Sequence, residues 1–367
     1  MTSPPDRISS SDPADFGFML PADVPTPAFV IIEDAVRRNL AATVAACGTP
    51  ARFLPHVKTH RAPWLTKWLV AEGVTGCKVA TPAEAKLALD AGMRMVLWAF
   101  PTVNPANIAR FVANARDYPA AQLVALVDSA AGIDAWQAVL GQDRPVNLAF
   151  RVDLDPGMGR TGVAIGSPAL DLARCLHRSG CFAGWHLYDG HIKDLDRDAR
   201  QRKVDALVEG TEHLRRQLEA EGVTSDLVAG TSYTLDLWPA DAAAFVSSGS
   251  WTYSSDQHDR ELASAGWMPA AFVLATVIST RNGTATLDAG AKAVAPDKPI
   301  AERFRWEGKI LLMNEEHSIV ESVTLAVGDR VLLIPRHTCT TAYLYDEALV
   351  LTAGGVWEWR AQLGCRR

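Results

Sequence analysis

The feature that most constrains this chain is an alternation. From about residue 28 to 250, short apolar runs take turns with longer stretches that carry apolar residues at helical spacing. The strand-like runs are ARFLP (51–55), CKVA (77–80), MVLWAF (95–100), QLVALVD (122–128), NLAFRVDL (147–154), AGWHLYD (183–189), DLVAG (226–230) and AAFVSSG (243–249). Between them lie segments such as TPAEAKLALDAGM (81–93) and NPANIARFVANARD (104–117). Thr or Asn opens these, with Pro at the first helical position, as helix starts prefer. Eight buried-type strands alternating with helices predict an α/β fold, a parallel (β/α)8 TIM-type barrel. A doubly wound sheet is the structural alternative, but it usually carries a Gly-rich phosphate loop after its first strand, and none is visible here.

After about residue 266 the texture changes. AAFVLATVISTRNGTATLDAG reads as a strand, a turn at Asn282-Gly283 and a second strand. The β-type runs KILLMN, HSIVES, DRVLLIP, TAYLYD and ALVLTAG follow. The expected organisation is a disordered arm over residues 1–24, a barrel over 25–265 and a C-terminal β domain over 266–367. PTPAFVII (25–32) suits either domain. A chain of 367 residues, 48% hydrophobic, has the apolar content for two such cores. Its net charge of −6 argues against nucleic-acid binding and against a basic membrane patch. No apolar run approaches the roughly 18 residues of a membrane span. Six cysteines (47, 77, 175, 181, 339, 365) without CxxC pairs suit reduced thiols, and so the cytoplasm.

In a parallel barrel, functional residues gather where strands end. Lys58, in FLPHVKTHRAPWL (53–65), follows the first run, and Arg160 follows the fifth in RVDLDPGMGRTGV. Tyr188 and His191 follow the sixth in HLYDGH, Gly230-Thr231-Ser232 the seventh, and Gly249-Ser250 the eighth. Small-residue turns with free backbone N–H groups are how barrels hold phosphates. A lysine opposite such turns is what a pyridoxal phosphate Schiff base requires. The competing reading of the first stretch is a strand that stops at Pro55 and leaves its polar residues in a loop. His60 lies two residues beyond Lys58, within reach of a substrate, and a structural role is its competing reading.

His337 and Cys339, in IPRHTCTT, form a second pair. On a strand, an H-x-C pair points both side chains to one face, at a spacing that suits a soft divalent metal. Two ligands are too few for a structural site, so substrate or water would complete the shell, as a catalytic metal needs. By themselves the two residues are read as structural.

PHVKTH, GCKVATPAEAKLALDAG, VDLDPGMGRTGV, LYDGHIKD, DAGAKAVAPD, NEEHSIV and IPRHTCTT, in this order, closely resemble the D-threonine aldolase/D-serine dehydratase family. That family belongs to the alanine-racemase-like, fold-type III enzymes. The resemblance implies a barrel of the alanine racemase type, a C-terminal β domain and a homodimer. By position it makes Lys58 the lysine that bonds the cofactor and Arg160 the partner of its phenolic oxygen. Tyr188 becomes a ring contact, and Gly230, Thr231, Gly249 and Ser250 become phosphate contacts. It also turns His337 and Cys339 into metal ligands, with zinc favoured by the cysteine and manganese or magnesium left open. Asp288, Lys292, Glu316 and His317 are expected to support the metal-bearing domain. The implied function is a pyridoxal phosphate- and divalent-metal-dependent lyase acting on a small β-hydroxy-D-amino acid, of the D-threonine aldolase type, with His191 as the base. The alternatives are a D-serine dehydratase, an amino-acid racemase and a non-catalytic pyridoxal phosphate-binding protein.

Overall fold

The computed structural model describes residues 16–367, so most of the expected N-terminal arm, residues 1–15, lies outside the described residues. The chain opens with β1 (Ala28–Ile32) and α1 (Glu33–Cys47). Next come α2 (Pro63–Ala71), β2 (Gly76–Val79), α3 (Pro82–Asp90), β3 (Met95–Trp98), α4 (Pro105–Asp117), β4 (Gln122–Val127) and α5 (Ala130–Leu140). They are followed by β5 (Leu148–Asp155), β6 (Val163–Ala164), α6 (Ser167–Arg178), β7 (Phe182–Leu187), α7 (Arg197–Ala220), β8 (Leu227–Ala229) and β9 (Phe245–Val246). The last part holds α8 (Asp256–Glu261), β10 (Ala271–Arg281), β11 (Thr284–Leu287), β12 (Ile310–Met313), β13 (Ser318–Glu321) and β14 (Arg330–Leu333). It ends with α9 (Thr338–Ala342), β15 (Glu347–Leu351) and β16 (Trp357–Ala361).

One compact unit comprises Val44–Lys58 and Ala62–Gly249. Its parallel sheet runs β2-β3-β4-β5-β7-β8-β9, with β6 added on β5. Phe53 bridges Val246 and His56 bridges Lys78, both in parallel, so the segment 53–56 joins β9 back to β2 and closes the ring. The expected first strand, ARFLP, is thus reduced to isolated bridges. A 3-10 turn over Pro50–Arg52 consumes its start, and Pro55 has no N–H to give a ladder. Leu54, Leu97, Val124, Leu126 and Val228 pack together as a core cluster. The helix starts follow the sequence: the Thr81 hydroxyl accepts from Glu84 N and Asn104 from Asn107 N, each followed by Pro in the first turn.

The other unit comprises residues 16–43, Thr59–Arg61 and Ser250–Arg366. Its sheet runs β12-β13-β11-β10-β1-β15-β16, and β14 pairs with β10. β1 is antiparallel to β10 and parallel to β15, with Phe29, Val30 and Ile31 fully buried. PTPAFVII therefore joins the β unit, and the boundary expected at 265 falls at Gly249 instead. Phe16, Phe18, Leu20 and Val24, within the expected arm, pack against this unit. Phe16 meets Phe272 edge-on at 4.8 Å between ring centres, and Phe18 meets Trp357 at 5.7 Å. Their apolar side chains pack against Val30, Phe272, Leu274 and Leu332, which polar composition alone does not reveal. Asn282 and Gly283 both have positive φ, the condition for the tight turn between β10 and β11. Among the described residues no helix is long and apolar enough to cross a membrane.

Candidate active site

In the barrel unit, Lys58 lies on the short 3-10 turn that follows the His56 bridge, and it is exposed. Its N–H donates to His56 Nδ1 at 3.4 Å. The loop after β5 is built around Asp155, whose Oδ1 accepts from the N–H groups of Gly157, Met158 and Gly159 at 3.0, 2.8 and 3.0 Å. Gly162 closes it at φ 101°, where a Cβ would fall on the Leu154–Asp155 backbone. This loop presents Arg160, whose guanidinium carbon stands 4.7 Å from the centre of the Tyr188 ring. The ring can lie there because residue 190 is glycine; a Cβ on Gly190 would sit inside it.

The turns after β8 and β9 are tied by hydroxyl groups. Thr231 N–H donates to Thr234 Oγ1 at 2.9 Å, and the Ser232 and Ser248 hydroxyls share a hydrogen bond of 2.8 Å. Gly230, at φ 90°, makes the bend into the first turn, and Gly249 follows Ser248 in the second. Ser250 opens the next 3-10 turn and belongs to the other unit. An amine, a guanidinium stacked on a phenol and two hydroxyl-rich turns form the donor set that an aldehyde bearing a phosphate and an anionic ring oxygen requires. These residues fit pyridoxal phosphate. His191 is exposed, whereas His60 is only 1% exposed.

Beneath these turns lies a buried ionic group that the motif reading missed. Asp153 Oδ1 is 2.6 Å from His186 Nδ1, and its Oδ2 accepts from Thr161 Oγ1 at 3.0 Å. Asp189 Oδ2 accepts from Trp238 Nε1 at 2.9 Å. Burial pushes the Lys78 amine down to about 7; Lys58 and Arg160 push the same way, and Asp153 and Asp189 oppose. Burial also takes His186 down to about 4, helped by Lys78 and opposed by Asp153. Desolvation raises the Asp189 carboxyl, against hydrogen bonds from Trp238 and Thr234. A signal was available: CKVA, NLAFRVDL and AGWHLYD carry charged or ionisable residues in runs that a covered parallel strand would keep apolar.

In the β unit, His337 and Cys339 do not alternate along a strand as expected. His337 precedes α9, and Cys339 lies in its first turn. The hydroxyls of Thr340 and Thr341 both donate to His337 O, at 3.1 and 3.2 Å, and this local bonding favours a turn over an extended backbone. The two side chains still meet, hydrogen-bonded to each other, with Thr338 buried away from them. Asp297 Oδ2 is hydrogen-bonded to His337 Nδ1, and its Oδ1 accepts from Thr340 Oγ1 at 3.1 Å. Thr59 Oγ1 lies 3.3 Å from Cys339 Sγ. Burial lowers the His337 pKa, but the Cys339 hydrogen bond and the Cys339 and Asp297 charges outweigh it, giving about 9. A carboxylate on Nδ1 is the usual support of a metal-binding imidazole, leaving Nε2 for the ion. Among the described residues no group of three or more His, Cys, Asp or Glu side chains is arranged around one ion. His337 and Cys339 offer two donors, one fewer than the three protein ligands usual at a catalytic zinc site. Within the β unit, Asp288 accepts from Thr276 N at 2.7 Å, and Lys292 pairs at the surface with Glu315 and Glu316.

Residues 31–255, more than half of the chain, match the family model of the alanine racemase N-terminal domain. The chain belongs to that family. Residues 270–351 of this alanine racemase-type protein match a second model, described as a putative serine dehydratase domain. It is 24% identical over 357 residues to the 3-hydroxy-D-aspartate aldolase of Paracoccus denitrificans (strain Pd 1222), covering 90% of this chain and 92% of the relative. It is 27% identical over 372 residues to the D-threo-3-hydroxyaspartate dehydratase of Delftia sp. (strain HT23), covering 91% and 96%. The structure of D-threonine aldolase from Filomicrobium marinum matches with a TM-score of 0.82 at 23% identity, over 94% of this chain and 98% of that one. A metal-free form of a D-threo-3-hydroxyaspartate dehydratase mutant matches at 0.81 and 23% identity, over 93% and 98%. The resemblance read from PHVKTH to IPRHTCTT thus holds, as does the alanine racemase fold.

Proposed function

We propose that this protein is a pyridoxal phosphate- and divalent-metal-dependent lyase that cleaves β-hydroxy-D-amino acids, in the manner of a D-threonine aldolase, to glycine and an aldehyde. One observation carries the reading. The chain holds a cofactor donor set at its strand ends and, in its other unit, a His337–Cys339 pair backed by Asp297. A racemase or a cofactor-binding protein has no use for the second.

Pyridoxal phosphate supplies, when bound, an electron sink for the charge left on Cα as a bond to it breaks. Lys58 Nζ is its attachment point. Arg160, steadied by the Tyr188 ring, donates to the ring oxygen, while Gly230, Thr231, Gly249 and Ser250 take the phosphate, with Ser232 and Ser248 beside them. His337 and Cys339 would hold the divalent cation, which would supply Lewis-acid polarisation of a hydroxyl group. Asp297 holds the His337 ring in the orientation that offers Nε2. His191, exposed on the turn after β7, accepts the hydroxyl proton. His60, closed off from solvent, supports the segment after Lys58. The chain works as a homodimer, and its six unbridged cysteines suit the cytoplasm.

A dehydratase is the second reading, favoured by the serine dehydratase match and the Delftia relative. There Lys58 removes the Cα proton and the β-hydroxyl leaves. The test supplies D-threonine, D-serine and D-threo-3-hydroxyaspartate separately and measures glycine, aldehyde, keto acid and ammonia. Glycine with aldehyde is expected; keto acid and ammonia without glycine would replace the aldolase by the dehydratase, and racemisation alone would remove both.

A further inference from the structure

Lys78 is a lysine inside a strand. All four residues of β2 are buried, and Lys78 is 2% exposed. Its N–H donates to Pro55 O at 2.9 Å, fixing its backbone beside the segment that leads to Lys58. The charges acting on its amine come from Asp153 in β5 and from Lys58, Arg160 and Asp189 on strand-end turns, and it acts in turn on His186 in β7. β5 and β7 stand across the ring from β2, so the side chain runs through the barrel interior. Strand packing does not call for a lysine, and burying one is costly. Around the Lys78 amine, two further cations, Lys58 and Arg160, stand with two carboxylates, and burial disfavours the charge on one of these, Asp189. The surplus is positive, and an anion relieves it.

We propose that Lys78 is a positioning residue for an anionic phosphorylated ligand, drawing it into the barrel and holding it there without forming the covalent bond assigned to Lys58. This rests on the proposed pyridoxal phosphate site and deepens it. Because the Lys78 amine titrates at about 7, its pull is present below that pH and fades above it.

Pyridoxine 5′-phosphate lacks the aldehyde and cannot bond to Lys58, so its binding to the apoprotein isolates the electrostatic part. Isothermal titration at low salt compares wild type, Lys78→Met and Lys78→Arg on either side of pH about 7. Below it, Lys78→Met is expected to bind about tenfold more weakly than wild type, and Lys78→Arg as tightly as wild type. Above it, the wild-type affinity falls relative to that of Lys78→Arg, which keeps its charge. That divergence carries the test even if Lys78→Met fails to fold. Equal affinities of wild type and Lys78→Met below pH 7, or a pH-independent ratio of wild type to Lys78→Arg, would overturn the inference alone. A wild-type chain that binds neither pyridoxine phosphate nor pyridoxal phosphate would overturn the cofactor reading as well.

Discussion

Lys58, His186 and Cys339 show how differently one side chain can be tested. Lys58→Ala is expected to lose the borohydride-reducible attachment of pyridoxal phosphate and to keep the far-UV circular dichroism of the wild type. A reducible adduct persisting at another residue would take the role from Lys58. His186 makes a pH prediction. Its imidazole stays neutral in the fold down to about 4, whereas the unfolded chain protonates it near 6.5. The unfolded state therefore binds the extra proton, and stability falls as pH drops through that window, by up to about 3 kcal/mol. His186→Gln should flatten the acid limb of urea-denaturation stability against pH; an unchanged slope would mean the ring is not held neutral. At the metal pair, chelation should stop lyase turnover while cofactor absorbance stays, and zinc should restore turnover. Cys339→Ala should raise the zinc concentration required, and Cys339→Asp should shift preference towards manganese, the harder ion. Full turnover with no metal detectable by elemental analysis would end the metal assignment.

At the scale of elements, the decisive parts are short turns. The β5 loop is one unit, because a single carboxylate oxygen gathers three successive N–H groups and Gly162 closes it where no side chain fits. The Tyr188 turn depends on Gly190 in the same way. Gly190→Ala should displace the Tyr188 ring and with it the support of Arg160. Overpacking of this kind costs about 1–3 kcal/mol. Its expected readout is weaker pyridoxal phosphate affinity in equilibrium dialysis, with thermal stability reduced only modestly. Wild-type affinity in Gly190→Ala would show that the stacking does not matter to the cofactor.

At the scale of the molecule, the proposed homodimer has a measurable consequence. Val356, Trp359 and Leu344 are 57%, 44% and 40% exposed, apolar anchors of the type that interface cores use. Light scattering at micromolar concentration should return twice the 39.6 kDa of the chain, and Trp359→Glu should lower it. A fully active monomer would contradict the dimer.

The alternation of apolar runs and capped helices, read from the sequence, determined the barrel, because covered parallel strands must be apolar on both faces. The Asn-Gly turn determined the β10–β11 hairpin, because few residue pairs accept two positive φ angles. Motif order determined the family and the positions of Lys58, Arg160 and Tyr188 on their loops. Tertiary structure decided the rest. β1 left the barrel for the β unit because its partners, β10 and β15, lie more than two hundred residues away in the chain. His337 and Cys339 came together through a helical turn instead of a strand, because threonine hydroxyls bonded His337 O. The ionic interior of Lys78, Asp153, His186 and Asp189 was assembled from β2, β5, β7 and the turn after β7, so no local window of sequence contains it. Charge pairing at that separation in sequence is set by the closure of the ring alone.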